Sequence, residues 1–120
     1  MVVEDDLSIL QLVKRILENF KYKVLCASNP KDAISLANEY SCKIDLLVTD
    51  IILPEMNGRE LADELQRQYA DLKILYMSGY TANVIVHRGV LDEGINFIAK
   101  PFSSDDLAGK VREVLYTQEK

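Results

Sequence analysis

Short runs of branched apolar residues alternate with segments of helical period along the chain, and this alternation restricts the fold more than any other feature. The runs are residues 1–3, 24–27, 44–49, 73–77 and 95–99. Short, mostly apolar runs rich in branched residues are typical of strands buried on both faces of a parallel sheet. Because strand and helix alternate five times, right-handed crossovers should place helices on both sides of one sheet. We therefore predict an α/β fold with a doubly wound, five-stranded parallel sheet.

The helical segments carry apolar stripes, and polar residues mark where three of them begin. Asn29 before a proline, Asn57, and Ser103 or Ser104 are the predicted helix starts, because their side chains can accept bonds from the first free N–H groups. Segment 82–92 is the weakest predicted helix, since it contains consecutive β-branched residues and a glycine.

The length and composition are those of one globular domain, residues 1–120, with 48% hydrophobic and 28% charged residues. A net charge of -5 argues against direct nucleic-acid binding, which usually needs a basic surface. Cys26 and Cys42 lack C-x-x-C spacing, so we predict reduced core residues. Without an apolar stretch of membrane-spanning length or a signal-peptide pattern, we expect no membrane contact by this domain and a cytoplasmic location.

Polar and charged residues stand where four of the predicted strands end. Acids at 4–6 follow the first strand, Asp50 the third, Ser78 the fourth and Lys100 the fifth. The carboxyl ends of parallel strands share one edge of an open sheet, and ligands bind there. We therefore expect these groups to converge in one pocket.

Each group has a simpler explanation when taken alone: the acids could be helix caps, Asp50 a loop residue, Lys100 a solvated lysine and Ser78 part of a turn. Together they point to phosphoryl chemistry. Carboxylates gathered from two strands need a cation, and Mg²⁺ suits such oxygen ligands. Asp50 would be the nucleophile, while Ser78 and Lys100 would donate to phosphoryl oxygens. The bond between Lys100 and Pro101 is expected to be cis, because X-Pro bonds are the usual place for that geometry.

The segments that carry these residues resemble the receiver domain of two-component response regulators. They read VVEDD at 2–6, LVTDIILPEMNG at 47–58, MSG at 77–79 and FIAKPF at 97–102. The resemblance covers essentially the whole chain. It implies a flavodoxin-like (βα)5 fold with strand order 2-1-3-4-5. It also implies a phosphoacceptor switch that takes its phosphoryl group from a histidine kinase or a histidine phosphotransfer protein, and that catalyses only its own phosphorylation and dephosphorylation.

The resemblance assigns a role to each acid of the pocket. Asp50 would be the phosphoacceptor, and Asp5 and Asp50 would bind Mg²⁺ directly. Glu4 would act through water, and Ile52 would contribute its backbone carbonyl.

The same resemblance implies a switch. Ser78 would move toward the phosphoryl group and Phe97 would turn inward, changing the face formed by segment 82–92, the fifth strand and the last helix. Phe97 replaces a frequent tyrosine, so one hydroxyl is missing from this face. Bulky side chains at Ile52 and Tyr80 predict slow loss of the phosphoryl group, because they would limit the attacking water.

Segments 57–62, 75–81 and 100–103 resemble receivers at the C-terminal end of hybrid sensor histidine kinases. The first strand has three residues before Glu4, which we expect of a chain cut from a longer protein or truncated by engineering. A phosphorylation-dependent dimer is left open.

Other functions fit the sequence less well. A haloacid dehalogenase-type phosphatase needs an aspartate where Ile52 stands, and acids at 4–6 would repel the phosphate of a flavin. No P-loop motif is present, and we expect the lone His87 to be neither ligand nor phosphoacceptor. A phosphorylation-independent interaction module with the same fold remains the alternative.

Overall fold

The computed structural model describes residues 1–40, 43–53, 55–79 and 96–116. Its strands are β1 (Val2–Val3), β2 (Cys26–Ala27), β3 (Leu46–Asp50), β4 (Lys73–Ser78) and β5 (Phe97–Ala99). Its helices are α1 (Leu7–Asn19), α2 (Pro30–Glu39), α3 (Gly58–Gln68) and α4 (Ser104–Tyr116). All strand pairs are parallel, and the sheet order is β2-β1-β3-β4-β5. The predicted fold class and strand order are confirmed.

The strand bounds differ from the predicted ones in ways that matter for the site. β3 runs on to Asp50, which pairs with Met77 of β4, so this aspartate is the last residue of the strand and not the first of a loop. β4 likewise includes Ser78. Of the predicted run 24–27, Cys26 and Ala27 pair with β1, since β1 itself is two residues long.

Two apolar clusters pack on opposite faces of the sheet, which explains consecutive apolar residues such as 46–48. Leu47 faces α2 and α3, and the next residue, Val48, faces α1 and α4. Val3 and Val2 divide between the two faces in the same way. Alternate side chains of one strand therefore enter different cores, as expected for a strand covered on both sides.

The helices begin at polar caps that the sequence marks. Asn29 accepts a bond from the backbone N–H of Asp32, and Asn57 and Glu60 exchange side-chain bonds with each other's N–H groups. At the start of α4, the hydroxyl oxygen of Ser103 accepts a bond from the backbone N–H of Asp106. Such bonds satisfy N–H groups that the first turn of a helix leaves free.

Two of the predictions about the fold, the burial of Cys42 and the helix over 82–92, concern residues outside the described ranges. Cys26 has a free thiol and is half-buried at the edge of a core cluster, so it is less enclosed than predicted. Within the described ranges, no helix has the length and apolar character needed to cross a bilayer.

Candidate functional site

Three carboxylates meet at the carboxyl edge of the sheet. Glu4 and Asp5 follow β1, and Asp50 ends β3 directly beside it. One oxygen from each carboxylate lies within 4.8 Å of the others. Glu4 is buried, Asp50 is partly buried and Asp5 is exposed, so the cluster opens to solvent on one side. The predicted convergence of acids from two strands is therefore found.

The third acid after β1 has a different task. The carboxylate of Asp6 caps α1 by accepting bonds from the backbone N–H groups of Ser8 and Ile9. The N–H of Asp6 itself donates to the Glu4 carboxylate at 3.0 Å. Both interpretations of this acidic run thus hold, each for different residues: Asp6 is a helix cap, and Glu4 and Asp5 belong to the cluster.

Lys100 supplies the positive charge of the site. It follows β5, and its Nζ donates to the carboxylates of Glu4 and Asp50, the latter at 3.2 Å. The backbone N–H of Lys100 donates to the carbonyl of Ser78, and the bond to Pro101 is cis, as predicted. Among the described residues, three carboxylates and one ammonium meet here, so two negative charges are not offset when all four groups are ionised.

Burial and charge pairing compete at Glu4 and Lys100. Burial raises the pKa of Glu4, and the bond from Lys100 offsets this only in part. Burial alone would lower the pKa of Lys100, but its bond to Glu4 and the charge of Asp50 outweigh that effect, so this pKa lies above its usual range. Lys100 is therefore a fixed cation at neutral pH.

Ser78 is the buried final residue of β4. It stands one residue beyond Met77, the partner of Asp50, so strand pairing places it at the same sheet edge. Ile52, two residues after Asp50, exposes about half of its surface (52%). Phe97 is half-buried and packs against the cluster under α2 and α3. Tyr80 and His87 lie outside the described residues.

The loop that follows Asp50 depends on a glycine whose role sequence reasoning missed. A Cβ added to Gly58 would lie 2.2 Å from the backbone oxygen of Asp50, which is far inside van der Waals contact. The N–H of Gly58 also donates to the carbonyl of Ile51 at 2.7 Å. The sequence contained one signal of this role, because Gly58 directly follows the Asn57 cap. Glycine has a low helix propensity, so its presence at the first helical position needs another explanation, such as close packing.

The donor set suits a hard divalent cation. Carboxylate oxygens from Glu4, Asp5 and Asp50 are of the kind that Mg²⁺ prefers, and the exposed side of the cluster leaves room for water ligands. Of the three acids, Asp50 alone stands on the paired end of a strand, where the sheet fixes its backbone.

Comparison with known proteins agrees with this architecture. A family model described as response regulator receiver domain matches residues 1–112. The chain is 31% identical over 119 residues to the sensor kinase CckA of Brucella abortus, and 28% identical over 120 residues to the response regulator SaeR of Staphylococcus aureus. These matches cover 99% and 100% of this chain. The chain spans 13% of CckA and 51% of SaeR.

Solved structures give the same result. The crystal structure of the receiver domain from the hybrid histidine kinase CckA has a TM-score of 0.79 and 28% sequence identity, and the match covers 95% of both chains. The matched family model, the strand order and these likenesses together show that this chain belongs to the response regulator receiver domain family.

Proposed function

We propose that this chain accepts a phosphoryl group on Asp50, with Mg²⁺, and changes its partner-binding face as a result. One observation supports the proposal above all others. The Asp50 carboxylate ends a paired strand, lies within 4.8 Å of the Glu4 and Asp5 carboxylates, and receives a bond from Lys100 at 3.2 Å. A rigid nucleophile, oxygen ligands for a metal and a fixed cation are the parts that phosphoryl transfer requires.

The proposed metal ligands are the carboxylates of Asp5 and Asp50, the backbone carbonyl of Ile52, and Glu4 through a water molecule. Bound Mg²⁺ would neutralise negative charge on the phosphoryl oxygens. In the described part of the chain, Lys100 offsets one of the three carboxylate charges when all are ionised, and the remaining negative charge favours such binding.

The proposed donor is a phosphohistidine on a histidine kinase or a histidine phosphotransfer protein. A carboxylate oxygen of Asp50 attacks phosphorus and the P–N bond of the phosphohistidine breaks. The ring, protonated on its other nitrogen by solvent before transfer, keeps the electron pair of that bond and leaves as neutral imidazole. Lys100 and Ser78 donate to phosphoryl oxygens, which spreads the charge that builds up during transfer. The chain would thus catalyse its own phosphorylation without turning over a separate substrate.

The proposed output involves Ser78 and Phe97. Ser78 would move toward the phosphoryl group, and Phe97, now half-buried, would turn further inward beside it. Ser78 lies on β4 and Phe97 lies on β5, and these two strands pair with each other. The rearrangement would change the face made by β5 and α4. Dimerisation through that face is one form this output could take.

The likeness to a sensor kinase and to the receiver of a hybrid histidine kinase supports an origin in a hybrid kinase, with residues 1–120 as its receiver domain in the cytoplasm. Similarity to SaeR, a response regulator, is the reason to test partners of both kinds. The net charge of -5 supports the absence of direct nucleic-acid binding by this domain.

The experiment is phosphorylation by phosphoramidate, a small donor with the same P–N bond as phosphohistidine, at increasing Mg²⁺. We expect the rate to saturate with Mg²⁺, and Asp5→Asn to require far more of the ion. Asp63→Asn is the matched control, because Asp63 is an exposed acid of α3. A rate that is independent of Mg²⁺, or an equal response of both variants, would refute the proposed metal site.

A further inference from the structure

Three polar or charged side chains are buried in the described part of the chain: Glu4, Thr49 and Ser78. Glu4 and Ser78 belong to the site above. Thr49 has no part in it so far, although it directly precedes Asp50 and has no exposed surface. A buried hydroxyl is destabilising unless it forms a hydrogen bond. The Thr49 hydroxyl forms one, donating to the backbone carbonyl of Asp50 at 3.0 Å.

That bond holds one end of the peptide group that joins Asp50 to Ile51. The other end is held as well, because the N–H of Ile51 donates to the carbonyl of Met77 in β4 at 3.1 Å. The next carbonyl, that of Ile51, accepts the 2.7 Å bond from the N–H of Gly58. The backbone that leaves Asp50 is therefore anchored at three successive groups.

Packing restricts the Asp50 carbonyl further. Gly58 approaches so closely that a Cβ there would lie 2.2 Å from the carbonyl oxygen. The oxygen is thus confined by the Thr49 hydroxyl and by the start of α3. Rotation of this peptide group would turn both the Asp50 carboxylate and the chain that leads to Ile52.

We infer that Thr49 is a positioning residue, whose hydroxyl orients the Asp50 carboxylate and the Ile52 carbonyl by holding the peptide group between them. This inference rests on the proposed function, since it concerns the same site. A purely structural role of the Thr49 hydroxyl predicts a different result: its loss would lower the stability of the fold without changing phosphorylation or metal binding.

The test compares Thr49→Val, which removes the hydroxyl and nearly keeps the shape, with Thr49→Ser, which keeps the hydroxyl. Thr49→Ala is a second hydroxyl-free variant in case valine does not fit. Three quantities are measured: the phosphorylation rate with phosphoramidate at saturating Mg²⁺, the Mg²⁺ dissociation constant by calorimetry, and the urea midpoint. We expect the hydroxyl-free variants to be phosphorylated about two- to tenfold more slowly and to bind Mg²⁺ more weakly, the range that one neutral hydrogen bond supplies. Thr49→Ser should restore both.

Two results would overturn the inference alone. The first is that the hydroxyl-free variants have the same phosphorylation rate and Mg²⁺ affinity as the wild type, whatever their urea midpoints. The second is that Thr49→Ser is phosphorylated as slowly as the hydroxyl-free variants. In both, phosphorylation of the wild type would leave the proposed function intact. Failure of the wild type to accept a phosphoryl group would instead refute the proposed function, and the inference with it.

Discussion

Replacing Gly58 by alanine should lower the stability of the fold and disturb the proposed phosphoacceptor site. The new Cβ would lie 2.2 Å from the Asp50 oxygen, and 3.2 Å from both the Asp50 carbonyl carbon and the Cα of Ile51. All three atoms belong to backbone, so no flexible side chain can move aside. The end of β3 or the start of α3 must shift by about 1 Å to restore an ordinary contact.

The magnitude follows from two opposing effects. Overpacking of a well-packed interior costs about 1–3 kcal/mol, and a clash with backbone belongs at the upper end of that range. Alanine offsets up to about 1 kcal/mol of this cost through its higher helix propensity. We therefore expect Gly58→Ala to lower the free energy of unfolding by about 2 kcal/mol. The displaced Asp50 should also accept a phosphoryl group more slowly.

The assay is urea unfolding followed by far-UV circular dichroism, together with the phosphorylation rate under conditions where the variant is folded. Gly109→Ala is the matched control, because Gly109 is exposed within α4 and a Cβ there meets no atom within 4 Å. This control should raise stability by about 0.5–1 kcal/mol through helix propensity and leave phosphorylation unchanged.

Opposite signs for the same substitution are therefore expected at the two glycines. If Gly58→Ala is as stable as the wild type and is phosphorylated at the same rate, the close contact between Gly58 and Asp50 does not constrain the site. Equal destabilisation by Gly109→Ala would point to a general effect of alanine and would refute the reasoning from the clash.

Three further substitutions test separate parts of the account. In metal-free buffer, Lys100→Met should lower the free energy of unfolding by about 1–3 kcal/mol, because the partly exposed lysine pairs with two carboxylates. Added Mg²⁺ should reduce this difference between variant and wild type in urea unfolding. If Mg²⁺ leaves the difference unchanged, Lys100 and the metal do not compensate the same carboxylates. Asn57→Ala removes a capping box and should cost about 1 kcal/mol in the same assay, whereas no loss would show that the cap is dispensable. Ile52→Asn should lose the phosphoryl group faster than the wild type, measured as decay of the phosphorylated form after the donor is removed. An unchanged decay rate would show that the Ile52 side chain does not keep the attacking water away.

The sheet was predictable because its apolar pattern has few alternatives. Consecutive apolar residues such as 46–48 do not alternate with polar ones, which predicts cover on both faces, and Leu47 and Val48 do enter opposite cores. The meeting of Glu4, Asp5 and Asp50 followed from strand ends alone, since parallel strands finish at a common edge.

Other features depend on geometry that residue patterns do not specify. Three successive acids follow β1, and only the direction of the backbone decides that Asp6 caps α1 while Glu4 bonds to Lys100. The closeness of Gly58 to Asp50 arises because the loop brings the start of α3 back over the end of β3. The direction of the Thr49 hydroxyl depends on the same local backbone.

The most direct test of the proposed function is intact-mass spectrometry after incubation with Mg²⁺ and a small phosphodonor such as acetyl phosphate. Asp50→Asn and a chelator-treated sample are the controls. We predict the mass of one added phosphoryl group on the wild type and none in either control. An unmodified wild type would contradict the proposal and favour a phosphorylation-independent interaction module, and addition to Asp50→Asn would show that another residue is the acceptor.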